Sequence, residues 1–180
     1  AALVTEPDRL ADLPRLIIPG VGSFRVAADR LRERGLVEPI REFARSGRPV
    51  LGLCLGMQLL ATRGEEGGDA EGLDLVPGTV ELMCPPQVPY TPHVGWNSVE
   101  HSVDHPMLYR VRSGVDFYFV HSYRFLPASD PHIFGTTEYG LRLASIIGNG
   151  NVFGLQFHPE KSQKNGLQLL ENFCDWDGRC

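Results

Sequence analysis

Cys54 sits in the run Gly52-Leu53-Cys54-Leu55-Gly56, between an apolar stretch that reads as a strand and a segment that reads as a helix. A thiol at such a junction, with glycine two residues away on either side, has the form of a nucleophile elbow. The turn is tight and strained at the nucleophile, so Cβ atoms at the flanking positions have no room. At a helix N-terminus the unpaired amides and the macrodipole favour a thiolate, which predicts a Cys54 pKa below the free value of about 8.5. The same amides, with that of Leu55 foremost, are candidate donors to a developing oxyanion. The plainer reading is a buried core cysteine. The paired glycines and the strand-to-helix junction outweigh it.

A thiol nucleophile needs a base. Phe157-His158-Pro159-Glu160 offers one at the exit of the last predicted strand, where Pro159 keeps the chain extended and His158 and Glu160 project to the same side. Glu160 can accept from one imidazole nitrogen while the other faces Cys54, so the three make a candidate nucleophile, base and orienter. A His-x-Glu pair alone is more often ordinary surface loop; its weight here comes from the elbow. The turn Pro19-Gly20-Val21-Gly22 is predicted to lie beside that elbow, because open α/β sheets bind ligands at the carboxyl ends of their strands. Backbone at Gly20, Val21 and Gly22 can then present an amide to the substrate oxygen. A helix lead-in would use the same glycines, and the full dinucleotide and P-loop patterns are absent.

The elements that must position these groups alternate. Leu16-Ile17-Ile18 reads as a short buried strand stopped by Pro19 and Gly20. A helix follows, with Ser23 as N-cap, Phe24, Ala27, Ala28 and Leu31 on one face, and Gly35 at its end. A second helix has Pro39 near its start, apolar Leu36, Ile40 and Phe43, and a terminal Gly47, and Pro49 to Leu53 is the next strand. Strand, helix, strand in succession predicts a parallel sheet. A third helix is expected from Leu55 to about Arg63, then a flexible polar loop over residues 64–69. Residues 79–157 carry β-rich runs at 79–82, 117–120, 133–137, 143–147 and 152–157. A helix from Gly166 to Trp176 closes the chain, with Leu167, Leu170 and Cys174 on one face. The opening residues read as the end of a short strand running into a turn at Pro7-Asp8.

Composition narrows the field. The 180 residues, 42% of them hydrophobic, suit one compact domain with a real core. Seventeen basic against 22 acidic residues give a formal charge of −5, and no Lys/Arg run could follow a phosphate backbone. Cysteines at 54, 84, 174 and 180 form neither a CxxC pair nor a dense framework, which argues against a zinc site or disulfide scaffold and for a reducing cytoplasm. No apolar run approaches a bilayer-spanning length, and the opening residues lack the regions of a signal peptide.

Cys54 in its elbow, together with Gln156-Phe157-His158-Pro159-Glu160-Lys161-Ser162, resembles the class I glutamine amidotransferases. Within that class, residues 19–24, 52–58, 92–97 (Pro-His-Val-Gly-Trp-Asn) and 117–123 (Phe-Tyr-Phe-Val-His-Ser-Tyr) are similar to the glutaminase subunits of imidazole glycerol phosphate synthases. The resemblance implies an α/β, flavodoxin-like three-layer fold with a central, mostly parallel sheet. It also implies Cys54, His158 and Glu160 as the triad, glutamine contacts at Gly52, Gln58, Ser122 and Tyr123, and Gly20-Val21-Gly22 as the oxyanion strand. Trp96, Asn97, Tyr118, His121 and Lys161 would face a (βα)₈-barrel cyclase subunit in a heterodimer, through which ammonia travels. No metal or organic cofactor is implied. Members of the family usually open with a further strand and helix bearing an Asp-Tyr-Gly-x-Gly-Asn type pattern, which this sequence does not show, so its first β-α unit is expected to be missing. Two other readings remain: a class I amidotransferase serving another acceptor, and a non-catalytic interaction subunit of the same fold.

Overall fold

The computed structural model describes residues 2–179. After a 3-10 turn at Pro7–Leu10, the chain forms β1 (Leu16–Ile18), α1 (Phe24–Glu33), α2 (Val37–Arg45), β2 (Val50–Leu53) and the short α3 (Leu55–Leu59). There follow β3 (Arg63–Gly64), β4 (Ala70–Glu71), β5 (Gly78–Leu82), β6 (His93–Val99), β7 (Val115–His121), β8 (Tyr123–Pro127), β9 (Ile133–Glu138), β10 (Arg142–Asn149), β11 (Val152–Leu155) and α4 (Gln163–Asp175).

The central sheet runs β1-β2-β11-β10-β9. Its first two pairings are parallel and its last two antiparallel, so it is mixed rather than mostly parallel. Tight turns explain the antiparallel half: β9, β10 and β11 are joined by short Gly-containing connections that leave no room for a crossover helix. Strand alternation splits the core into two layers. Val50, Ile147 and Val152 pack with α1, α2 and α3 on one face. Leu51, Ile146 and Phe153 pack with Phe117, Phe119 and α4 on the other. Burial on both faces is why these strands read as continuous apolar runs. Two smaller sheets, β4-β3-β5-β8 and β6-β7, complete the fold.

Several boundaries differ from the sequence reading. Among the described residues the opening segment 2–6 forms no strand: Leu3 is exposed and Val4 alone packs against the core. Helix α3 stops at Leu59 instead of running to Arg63. Beyond it the carbonyls of Leu59, Leu60 and Ala61 accept from the amides of Leu73 to Val76, which come alongside and end the helical ladder. Ser23 makes no side-chain cap; instead the Phe24 amide donates to Glu66 Oε2 at 2.8 Å and the Arg25 amide to the Glu66 carbonyl. The loop expected to be flexible is thus tied to the N-terminus of α1, and its Gly64 pairs as strand.

Strand β8 was not foreseen, and neither was β6, which turns His93 and Asn97 inward where an apolar alternation would be expected. The last strand ends at Leu155, two residues short of its expected limit. Helix α4 begins at Gln163 and buries Gly166, Leu169, Asn172 and Phe173, while Leu167 and Cys174 are exposed. Gly166 lies against the Pro159 carbonyl, where a Cβ would collide. Asn172 donates to the carbonyls of Met107 and Tyr109. With these two contacts the helix sets Leu169 and Phe173, flanked by partly buried Leu170, against the core instead of Leu167 and Cys174.

Candidate active site

Strand β2 ends at Leu53 and α3 begins at Leu55, so Cys54 is the single residue between them, at φ 52° and ψ −109°. A non-glycine residue in that conformation is strained and persists only when its surroundings hold it. They do. The Cys54 amide donates to the Leu155 carbonyl at 2.8 Å. Gly52 packs on Gly56 and Met57, Gly56 packs on the Ile18 carbonyl, and a Cβ at either position would overlap them. The flanking glycines therefore serve close approach, and the positive φ falls on the cysteine itself.

Cys54 lines a cavity of about 350 Å³ together with Val21, Gly22, Leu55, Gln58, Glu66, Pro92, Val120, His121, Ser122, Tyr123, His158 and Lys161. A larger groove of about 670 Å³ around residues 101–110 contains no cysteine. Burial pushes the Cys54 thiol up to about 11, against the opposing hydrogen bond from the Leu55 amide; Glu160 and Glu66 add to the rise and Lys161 works against it. The expected thiolate is thus not the resting form. Helix α3 is only five residues long, and desolvation of a side chain 7% exposed outweighs its terminus.

His158 enters from the end of β11. Its Nδ1 lies 2.8 Å from Glu160 Oε1, while Nε2 is buried and has no hydrogen-bond partner. The loop is fixed from below: the His158 amide donates to the Tyr118 carbonyl, and Ser162 Oγ donates to the His158 carbonyl at 2.6 Å while accepting from the Tyr118 amide. A carboxylate can only accept, so Glu160 selects the tautomer that carries its proton on Nδ1 and its lone pair on Nε2.

Gln58 is 4% exposed; its Nε2 donates to the Tyr123 carbonyl at 3.1 Å and to Gln156 Oε1 at 3.2 Å. Gly20 packs on Leu55 and Gly56. Val21 is 83% exposed at the cavity mouth, and Gly22 has φ +103°. Ser122 and Tyr123 border the cavity and Gly52 lies behind it in β2. Among the described residues no cluster of three or more His, Cys, Asp or Glu could hold a metal ion.

The five residues expected on one partner-facing surface are divided by strand alternation. Trp96 pairs with Tyr118 across β6-β7, and Val94 with Val120. These side chains share the outer face, where Trp96 is 49% exposed and Lys161 Nζ stands 5.8 Å from the Tyr118 ring. Asn97 turns the other way and donates to the Glu138 carbonyl. His121 is buried and both its nitrogens are engaged, Nε2 by His93 at 3.1 Å and Nδ1 by the Tyr123 carbonyl at 2.8 Å. Burial pushes His121 down to about 3 and His93 to about 4, so both rings are neutral. His121 belongs to the cavity wall, not to an open surface.

Two groups at the site carried no assignment from the sequence. Glu66 stood in a loop read as flexible, and contacts of the loop with α1 and, through Glu65, with β5 bring it here. Gln156 lay inside the quoted motif, with its Nε2 3.9 Å from Cys54 Sγ.

An elbow thiol sharing a cavity with an imidazole held by a carboxylate, on a mixed α/β sheet, defines a class, and comparison with known proteins gives the same one. A family model for glutamine amidotransferase class-I matches residues 5–176, and the chain belongs to that family. Within it, the chain is 48% identical to imidazole glycerol phosphate synthase subunit HisH of Moorella thermoacetica (strain ATCC 39073 / JCM 9320), over 93% of this chain and 79% of that one. Subunit HisH 1 of Prochlorococcus marinus (strain MIT 9313) is 47% identical, over 93% and 81%. A solved glutamine amidotransferase superposes with a TM-score of 0.71 at 20% identity, over 95% of this chain and 85% of that one, which bears on the fold alone.

Proposed function

We propose that this chain is the glutaminase subunit of an imidazole glycerol phosphate synthase, releasing ammonia from glutamine through Cys54, His158 and Glu160. The observation that carries the reading is the shared cavity of the strained Cys54 and of His158, whose Nε2 is unpartnered while Nδ1 is held by Glu160. Nε2 takes the thiol proton, and the sulfur attacks the side-chain amide carbon of glutamine. The oxyanion is received by the Leu55 amide, which already hydrogen-bonds Cys54, and by backbone of Gly20-Val21-Gly22. The imidazolium then protonates the departing ammonia. Water activated by His158 hydrolyses the γ-glutamyl thioester to glutamate.

Gln58, Ser122 and Tyr123 are proposed to contact the substrate, with Gly52 giving the cavity its depth. The Glu66 carboxylate suits the α-ammonium group. A resting thiol with its pKa near 11 leaves little nucleophile at neutral pH, so slow hydrolysis is expected of the free subunit. Docking of a (βα)₈-barrel cyclase on Val94, Trp96, Tyr118 and Val120 would cover the cavity mouth, since Val120 and Lys161 border both. Ammonia then passes to that partner within a cytoplasmic heterodimer.

Cys54→Ala tests the function. With the cyclase present, the variant should lose glutamine-dependent synthesis by about a thousandfold or more and keep synthesis from added ammonium salt. Glutaminase turnover surviving in the variant would remove the proposal. A stable complex with a different synthase and none with a barrel cyclase would instead favour another acceptor.

A further inference from the structure

Gln156 has no task in the reaction just described, yet it is 1% exposed and touches the sulfur. An amide side chain can be turned over, so which end faces Cys54 has to follow from partners whose roles are fixed. The Tyr123 carbonyl is such a partner, because it can only accept. Gln58 meets it at 3.1 Å, so that end of Gln58 is its NH₂. The second N–H of the same nitrogen points to Gln156 at 3.2 Å, so the facing atom of Gln156 is oxygen. The remaining end of Gln156, an N–H donor, is therefore the one at Cys54 Sγ. His121 holds the anchoring carbonyl from the other side at 2.8 Å.

We infer that Gln156 is a catalytic contact of the nucleophile, its side-chain N–H donating to the Cys54 thiolate once His158 has taken the proton. The inference rests on Cys54 being the nucleophile. In the resting thiol the S–H donates to the Val120 carbonyl at 3.9 Å. When that bond breaks, the proton joins His158 Nε2 and the electron pair stays on sulfur. An anionic sulfur is repelled by the Val120 oxygen and drawn to its two donors, the Leu55 amide and Gln156. A donor to a buried thiolate raises the fraction present at any pH below the thiol's pKa.

The test reads the rate of Cys54 alkylation by iodoacetamide in the full chain, site by site by peptide mass spectrometry, with exposed Cys84 as internal control. Gln156→Leu removes the donor and should slow Cys54 about tenfold at a fixed pH below its midpoint, the equivalent of one pKa unit, leaving Cys84 unchanged. Gln156→Glu keeps an oxygen for Gln58 but turns an acceptor toward sulfur, so it should slow Cys54 at least as much. A merely structural role would be rescued by Glu. Unchanged Cys54 rates in either folded variant, or rescue by Glu, would overturn the inference. Failure of the underlying reading looks different: Cys54→Ala would still hydrolyse glutamine.

Discussion

The imidazole of His158 divides its nitrogens between two tasks, and Glu160 decides which does which. With Nδ1–H held at 2.8 Å, only Nε2 is left to take a proton. Glu160→Gln keeps the shape but presents an amide that can turn its NH₂ to the ring and select the wrong tautomer. Steady-state glutamine hydrolysis in the presence of the partner should show kcat lowered by roughly 10²–10⁴-fold, with KM little changed because Glu160 does not border the cavity. An unaltered kcat would remove Glu160 from the site. At this scale the sequence spoke through types and spacing: the two glycines around Cys54 and the His-x-Glu pair were legible because each is defined within five residues. The protonation state of Cys54 was not, since it depends on how deeply distant segments bury the sulfur. Nor was the setting of His121, whose partner His93 is 28 residues away.

The elbow depends on the approach of α3 to β1 and β2. Gly56→Ala would drive a Cβ into the Ile18 carbonyl, and backbone there cannot yield without separating the helix from the sheet. The variant should lose about 3 kcal/mol of stability, measured by urea unfolding, and its glutaminase activity with it. Gly22→Ala meets no neighbour within 4 Å but sits at φ +103°, so its cost is conformational alone. Elements with a local signal were readable: β1, α1, α2 and β2 alternate in a pattern set by apolar spacing and by Pro and Gly punctuation. Those set by tertiary contact were not. Helix α3 is ended by residues 73–76, α4 is turned by Gly166 and Asn172, and β6 hides its inward face behind His93 and Asn97.

Across the whole molecule, three buried neutral imidazoles, His93, His105 and His121, share one consequence. Burial lowers each below its ordinary value, so the unfolded chain binds these protons more readily than the folded one. Their contribution to stability is complete above the unfolded pKa of about 6.5 and is lost as pH falls toward the folded values. The urea midpoint should therefore drop between pH 7 and pH 4, more steeply than in His93→Phe, a variant that keeps the stacking of ring 93 between Phe119 and Tyr139. Equal pH dependence in the two proteins would contradict this. The two-layer core, the sheet that carries the elbow and the outer β6-β7 face all converge on one cavity, and the central claim is that Cys54 is its nucleophile. The direct measurement is inactivation by an electrophilic glutamine analogue, with the modified residue located by peptide mass spectrometry. One equivalent bound at Cys54, with complete loss of glutamine hydrolysis and protection by glutamine, is the expected result. Label confined to Cys84 or Cys174, or full turnover by a chain labelled at Cys54, would contradict it.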